Sequence, residues 1–194
     1  MLHERIKTAT TVDHKNAERH SYGAEIMSGQ LTRQEYTALL IANYMYIKPW
    51  EAQWKSLSAI MTSSINIEHR RKTTLLEDDL KAVGIDPASI QCLQLDLPVN
   101  LAQCLGRMYV IEGSTLGGAV IEKQLKRNPS LQDCTYNFYG GYGPALIPMW
   151  RAFLAELNVI TEENAQLESI EWARKCFNDV ESCFIQAKQI GVNS

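Results

Sequence analysis

Apolar positions recur every three to four residues along nearly the whole chain, and no two segments alternate with the two-residue period of paired strands. That spacing predicts an all-α protein. A first helix is expected over residues 2–19. A second opens at Thr32, where Thr32-Arg33-Gln34-Glu35 has the form of a capping box, and runs toward Ile60 with a bend at Pro49. A third is expected over residues 67–83, stopped by Gly84, a residue suited to the left-handed cap. Asp86-Pro87 reads as an N-cap followed by proline in the first turn of a short helix. A long helix should start near Asn100 and end by Asn128-Pro129, and the aromatic, glycine-rich residues 136–144 read as an irregular loop. Helices over residues 145–157 and from Thr161 to just before Gly191 complete the pattern. No repeat, low-complexity tract or linker interrupts residues 1–194, so one domain is expected.

Size and charge narrow the functional classes. A chain of 194 residues can bury a core without disulfides. Its formal net charge of -3 offers no basic field to offset phosphates, which argues against a nucleic-acid partner. The most apolar stretch, residues 95–121, is broken by Asp96, Arg107 and Glu112, so no membrane span is expected. The first residues lack the charged-then-apolar layout of a secretory signal. Five cysteines, an odd number without a C-x-x-C pair, fit reduced thiols in the cytoplasm.

The first helix is poor in large apolar residues. After Leu2, only Ile6, Ala9, Val12 and Ala17 are candidates for a buried stripe, narrower than a core helix usually presents. One explanation is that part of its inward face meets a ligand rather than other side chains. His14 sits there among Thr10, Thr11, Ala17 and Glu18, mostly short side chains one turn away. Glu18, at i+4, can take a proton from one ring nitrogen, fixing the tautomer and leaving the other nitrogen basic for a metal. A neutral imidazole so held suits haem iron. The ordinary reading of a lone helical histidine is a surface residue, and His3, His20 and His69 receive it. His69 lies in Glu68-His69-Arg70-Arg71-Lys72, which reads as a solvated helix face.

The long helix contains Gly113-Ser114-Thr115-Leu116-Gly117-Gly118. Three interior glycines cost a helix roughly 2–3 kcal/mol relative to alanine. Gly113 and Gly117 are one turn apart and form a side-chain-free strip that a flat ligand can approach. Close packing against another helix is the competing explanation.

Together the two segments resemble the haem oxygenase family. Residues 6–18, Ile6-Lys7-Thr8-Ala9-Thr10-Thr11-Val12-Asp13-His14-Lys15-Asn16-Ala17-Glu18, look like its proximal helix, and Gly113–Gly118 like its distal helix in the bacterial form. Gly29-Gln30-Leu31-Thr32-Arg33 with Tyr36 and Asn43-Tyr44 resembles the second helix, and residues 68–80 the third. The resemblance implies a single-domain multi-helical bundle with haem between the first helix and a glycine-kinked distal helix. It implies His14 as the proximal iron ligand, Glu18 as the carboxylate orienting it, and a haem-facing strip at Gly113, Gly117 and Gly118. Ser114 would hold the distal water, in a slot where mammalian-type members carry aspartate. Lys7 and Arg151 would meet the propionates, with Arg107 and Lys123 as weaker choices, and Phe177 would be the aromatic residue that the last helix places near the haem.

The implied reaction takes haem, oxygen and reducing equivalents from an external donor, a reductase or ferredoxin, to biliverdin, carbon monoxide and ferrous iron, with a bilin acceptor downstream. Two other classes remain open on this fold: a non-catalytic haem-binding or storage protein, and a haem-free thiaminase II-like or diiron relative.

Overall fold

The computed structural model describes residues 1–57, 59–61 and 65–192, with side chains through residue 190. Among these residues the chain runs through α1 (Leu2–Ala9), α2 (Thr11–His20), α3 (Gly23–Ser28), α4 (Arg33–Ala52), α5 (Trp54–Leu57), α6 (Thr73–Ala82), α7 (Leu101–Leu125), α8 (Asn137–Gly140), α9 (Leu146–Leu157) and α10 (Glu163–Val192), without a strand. The expected all-α bundle is what forms. The long α10 packs along α7, α4 and α2, and the core lies between these helices.

Local signals act where they were read. Thr32 accepts from the Glu35 amide and Glu35 from the Thr32 amide, closing the capping box at the start of α4. Asn100 caps α7, and Asp86 caps the short 3-10 turn Pro87–Ser89. Pro49 is accommodated inside α4. A proline at that position cannot donate to the Met45 carbonyl four residues back. The Leu93 amide donates to it instead, at 3.0 Å, which ties the irregular residues 90–95 along α4. The expected run toward Ile60 stops at Ala52 and restarts as α5; residue 58 lies outside the described residues.

Three expectations change. The first helix is not continuous: Thr10 leaves helical geometry and is buried, its hydroxyl donating to the Ile6 carbonyl at 2.8 Å. Arg174 of α10 takes up the Ala9 carbonyl at this break. Val12, expected in the buried stripe, is 68% exposed. The third helix covers Thr73–Ala82 only, preceded by a 3-10 turn at Glu68–Arg70 and an extended Arg71. Extended backbone places alternate side chains on one side. Arg70 and Lys72 are accordingly buried while Arg71 faces out, bonded to Glu68 and lying over the Trp54 ring. The presumed solvated face thus sends two cations inward. Finally, the loop over residues 136–144 contains the helical turn α8 and a 3-10 turn at Gly143–Ala145.

The α7–α10 crossing depends on Gly106. A Cβ there would stand 2.2 Å from the Ser169 carbonyl oxygen, and Ser169 Oγ donates to the Ala102 carbonyl at 2.9 Å. Arg107, next in sequence, is fully buried, its guanidinium over the rings of Trp172, Trp50 and Tyr46, with Asp179 at 3.6 Å. It belongs to the core and is not the weaker propionate candidate that the resemblance had offered.

Candidate functional site

Between α2, α4, α7 and α10 lies a cavity of about 970 Å³, closed on one side by residues 138–143. That is near the upper end of the ~300–1,000 Å³ typical of small-molecule and cofactor sites. Its lining is largely apolar, with a few polar groups converging on it.

The α2 wall carries His14. Its Nδ1 lies 3.3 Å from Glu18 Oε2, the i+4 spacing that one helical turn provides. This pairing favours the proton on Nδ1 and leaves Nε2 with a free lone pair. Phe177 of α10 meets the imidazole edge to face, with centroids 5.5 Å apart, and so limits its rotation. Lys7 and Lys15, both exposed, line the same wall.

The α7 wall is bare where the glycines fall. The helix is unbroken from Leu101 to Leu125. A Cβ added at Gly117 would meet nothing within 4 Å, and one at Gly113 only the tip of the Trp150 ring at 3.8 Å. Gly118 differs: its Cβ would press on the Tyr139 carbonyl at 3.4 Å, so this glycine serves packing of α7 on α8. Ser114 lines the cavity, but its hydroxyl donates to the Ile111 carbonyl at 2.7 Å. A hydroxyl has one proton, so Ser114 is left able only to accept from a water.

A charged cluster sits behind this wall. Glu112, Arg70 and Lys72 are nearly inaccessible. Arg70 pairs with Glu112 Oε2 and donates to the Met149 carbonyl at 3.1 Å. Tyr142 donates to Glu112 Oε1 at 2.8 Å, and Lys72 Nζ donates to Tyr142 Oη at 2.7 Å. Burial pushes the Lys72 ammonium below the usual lysine range, opposed by Glu112 and Glu51, and burial followed by Glu112 pushes the Tyr142 phenol well up. Lys72 and Tyr142 both line the cavity. The Glu51 carboxylate caps the start of α6, accepting from the Lys72 amide at 2.5 Å and from Thr73 Oγ1 at 2.7 Å.

The structure therefore brings His14, Glu18, Lys7, Gly113, Ser114, Gly117, Gly118 and Phe177 to one cavity. It does not bring Arg151, which is exposed on α9 and outside the lining, nor Lys123, exposed on α7 and likewise outside it. Sequence reading missed Lys72, Tyr109, Trp150 and His3, all of which line the cavity. Only Lys72 carried a usable signal, a lysine two residues from Arg70 where a helix was expected to be exposed on one face. Phe138, Tyr139 and Tyr142 line the cavity, whereas Tyr136 does not.

The haem oxygenase family model matches residues 1–184. The chain belongs to the haem oxygenase family. A haem oxygenase of Xanthomonas campestris pv. campestris (strain 8004) is 28% identical over 165 residues, covering 80% of this chain and 92% of that protein. Solved haem oxygenases share the fold. That of Leptospira interrogans superposes with a TM-score of 0.77 at 17% identity, covering 94% of this chain and 98% of its own. Haem oxygenase-1 of Synechocystis sp. PCC6803, solved in complex with haem, gives 0.76 at 14% identity, covering 99% and 94%. The Neisseria meningitidis enzyme, solved with NO and CO bound, gives 0.72 at 22%, covering 96% and 92%. The residues here fit the group the family is named for. A Cβ at Gly117 would enter open space beside the cavity, and His14 presents an oriented imidazole to the same cavity. No described helix is long and apolar enough to cross a membrane.

Proposed function

We propose that this haem oxygenase family member holds haem between α2 and α7 and opens its porphyrin ring to biliverdin, carbon monoxide and ferrous iron. His14 Nε2 is the proximal iron ligand in this reading, and Glu18 fixes the tautomer. The observation that carries it is the His14 Nδ1–Glu18 contact on a cavity whose α7 wall is free of side chains at Gly117. When bound, haem is both the substrate and the redox centre that activates oxygen. The protein's own residues bind and orient it. Gly113 and Gly117 let backbone approach the macrocycle, Phe177 holds the imidazole plane, and Lys7 meets a propionate. The largely apolar walls limit water around the ring and so favour ring attack over side reactions. Oxygen and an external donor, a reductase or ferredoxin, complete the reaction, and a bilin acceptor takes the product. Five free cysteines fit a reducing compartment, and we place the protein in the cytoplasm.

Hemin titration of the wild type and of His14→Ala tests the site, with a one-to-one Soret complex expected for the wild type. The variant should bind at least tenfold more weakly and show an altered Soret band. An identical Soret complex in the variant would remove His14 from its role. Adding ascorbate or a reduced ferredoxin in air then tests the activity. The Soret band should decay as bilin absorbance grows; intact haem after this treatment would mean binding without cleavage.

A further inference from the structure

Three hydroxyls around the cavity wall of α7 are already committed. Ser114 donates to the Ile111 carbonyl, Thr115 to the Glu112 carbonyl at 2.5 Å, and Tyr142 to the Glu112 carboxylate. Each of these three has a single proton, so it cannot donate into the cavity without breaking a bond inside the protein. The Lys72 ammonium is different. It has three N–H groups and two acceptors within hydrogen-bond distance, Tyr142 Oη at 2.7 Å and the Arg70 carbonyl at 3.2 Å. The nearest carboxylate, Glu112 Oε1, is 3.6 Å away, past hydrogen-bond range. The side chain is 4% exposed and lines the cavity. The carboxylates of Glu112 and Glu51 balance the charges of Arg70 and Lys72, so what Lys72 offers the cavity is an N–H donor rather than an excess of charge.

We propose that Lys72 donates its remaining N–H to a small anion seated on the α7 side of bound haem, the part that the sequence pattern assigned to Ser114. Tyr142 is the positioning residue: it accepts from Nζ and donates to Glu112, which fixes where the ammonium sits. The inference rests on the haem site described above. It implies that a distal N–H donor, supplied from the segment before α6, recognises anionic ligands in this chain.

Fluoride is the probe, because it is a small anion whose affinity for ferric haem depends on a nearby donor. The ferric haem-loaded protein is titrated with fluoride in the wild type, Lys72→Met, Lys72→Gln and Ser114→Ala, with neutral imidazole as a control ligand. Fluoride affinity should fall at least tenfold in both Lys72 variants and stay within twofold in Ser114→Ala. Imidazole and hemin affinities of the Lys72 variants should stay within threefold. Lys72→Gln keeps an N–H for Tyr142 and is the variant to read if Lys72→Met loses helical circular dichroism. Fluoride affinity within twofold of wild type in a folded Lys72 variant overturns the proposal. So does a tenfold loss of hemin affinity with fluoride binding intact, which would mean that Lys72 pairs with a porphyrin carboxylate. A wild type that forms no hemin complex defeats the haem-site reading itself, a result distinct from either of these.

Discussion

Gly106 and Gly117 share one helix, yet adding a side chain should have opposite consequences at the two. At Gly106 a methyl group would enter the Ser169 backbone, with its carbonyl oxygen 2.2 Å away and its Cα 2.9 Å away, and backbone cannot rotate aside. Gly106→Ala should therefore destabilise by about 1–3 kcal/mol or more, as over-packing does, despite the ~1 kcal/mol that alanine returns in helix propensity. Urea denaturation measures it, and an unchanged midpoint would contradict the close crossing. At Gly117 there is nothing within 4 Å to strike. Gly117→Leu should leave the unfolding midpoint at or above wild type, because the helix gains propensity. Its hemin affinity should drop at least tenfold, because the isobutyl group occupies the macrocycle's place. Equal hemin binding in Gly117→Leu would move the ligand away from α7.

At the scale of elements, the cavity wall formed by residues 138–143 is held by a side chain of α6. Asp79 is fully buried. It accepts from Thr135 Oγ1 at 2.6 Å, the Asn137 amide at 3.0 Å, Asn137 Nδ2 at 2.9 Å and the Phe138 amide at 2.9 Å. Hydrogen bonds to a charged acceptor contribute about 1.5–3 kcal/mol each, and their donors cost more when stranded. Asp79→Ala should lower stability by at least about 3 kcal/mol. Hydrogen exchange at residues 137–142 should rise before that of α7; unchanged protection there would show that α8 stands without Asp79. Such long-range anchors mark the limit of what the chain's pattern reveals. The capping box at Thr32 and the His14–Glu18 pair were legible because helix geometry fixes partners three or four residues apart. The break after Arg70 was not, since it answers to Glu51 and Glu112, distant in sequence and brought close only by folding. Ser114 was legible as a cavity residue but not in its bonding, because its hydroxyl can turn either to the cavity or back to the Ile111 carbonyl and residue type does not choose between them.

For the whole molecule, the buried thiols and phenols set a boundary on the alkaline side. Burial pushes Cys104, Cys176 and Cys183 up to about 12, from 9.0 when exposed. Between those values the unfolded chain releases thiol protons that the folded chain keeps, so the unfolded state is favoured as pH rises. The stability these groups contribute is full below pH 9 and is lost progressively toward 12. Each thiol accounts for about 1.4 kcal/mol per pH unit above 9, so three remove roughly 4 kcal/mol by pH 10. Tyr36, Tyr46, Tyr139 and Tyr142, all raised chiefly by burial, add to the loss above their exposed value of 10.0. Lys72 acts in the other direction: its folded value is lowered from 10.5, so between the two values the unfolded chain holds the extra proton and stability rises with pH. One lysine does not offset three thiols and four phenols. The net effect is a loss of stability as pH rises above about 9. Urea midpoints measured under reducing conditions from pH 8 to 10.5 should be flat to about 9 and then fall steeply, and a flat profile through pH 10.5 would show that these thiols are not sealed from solvent.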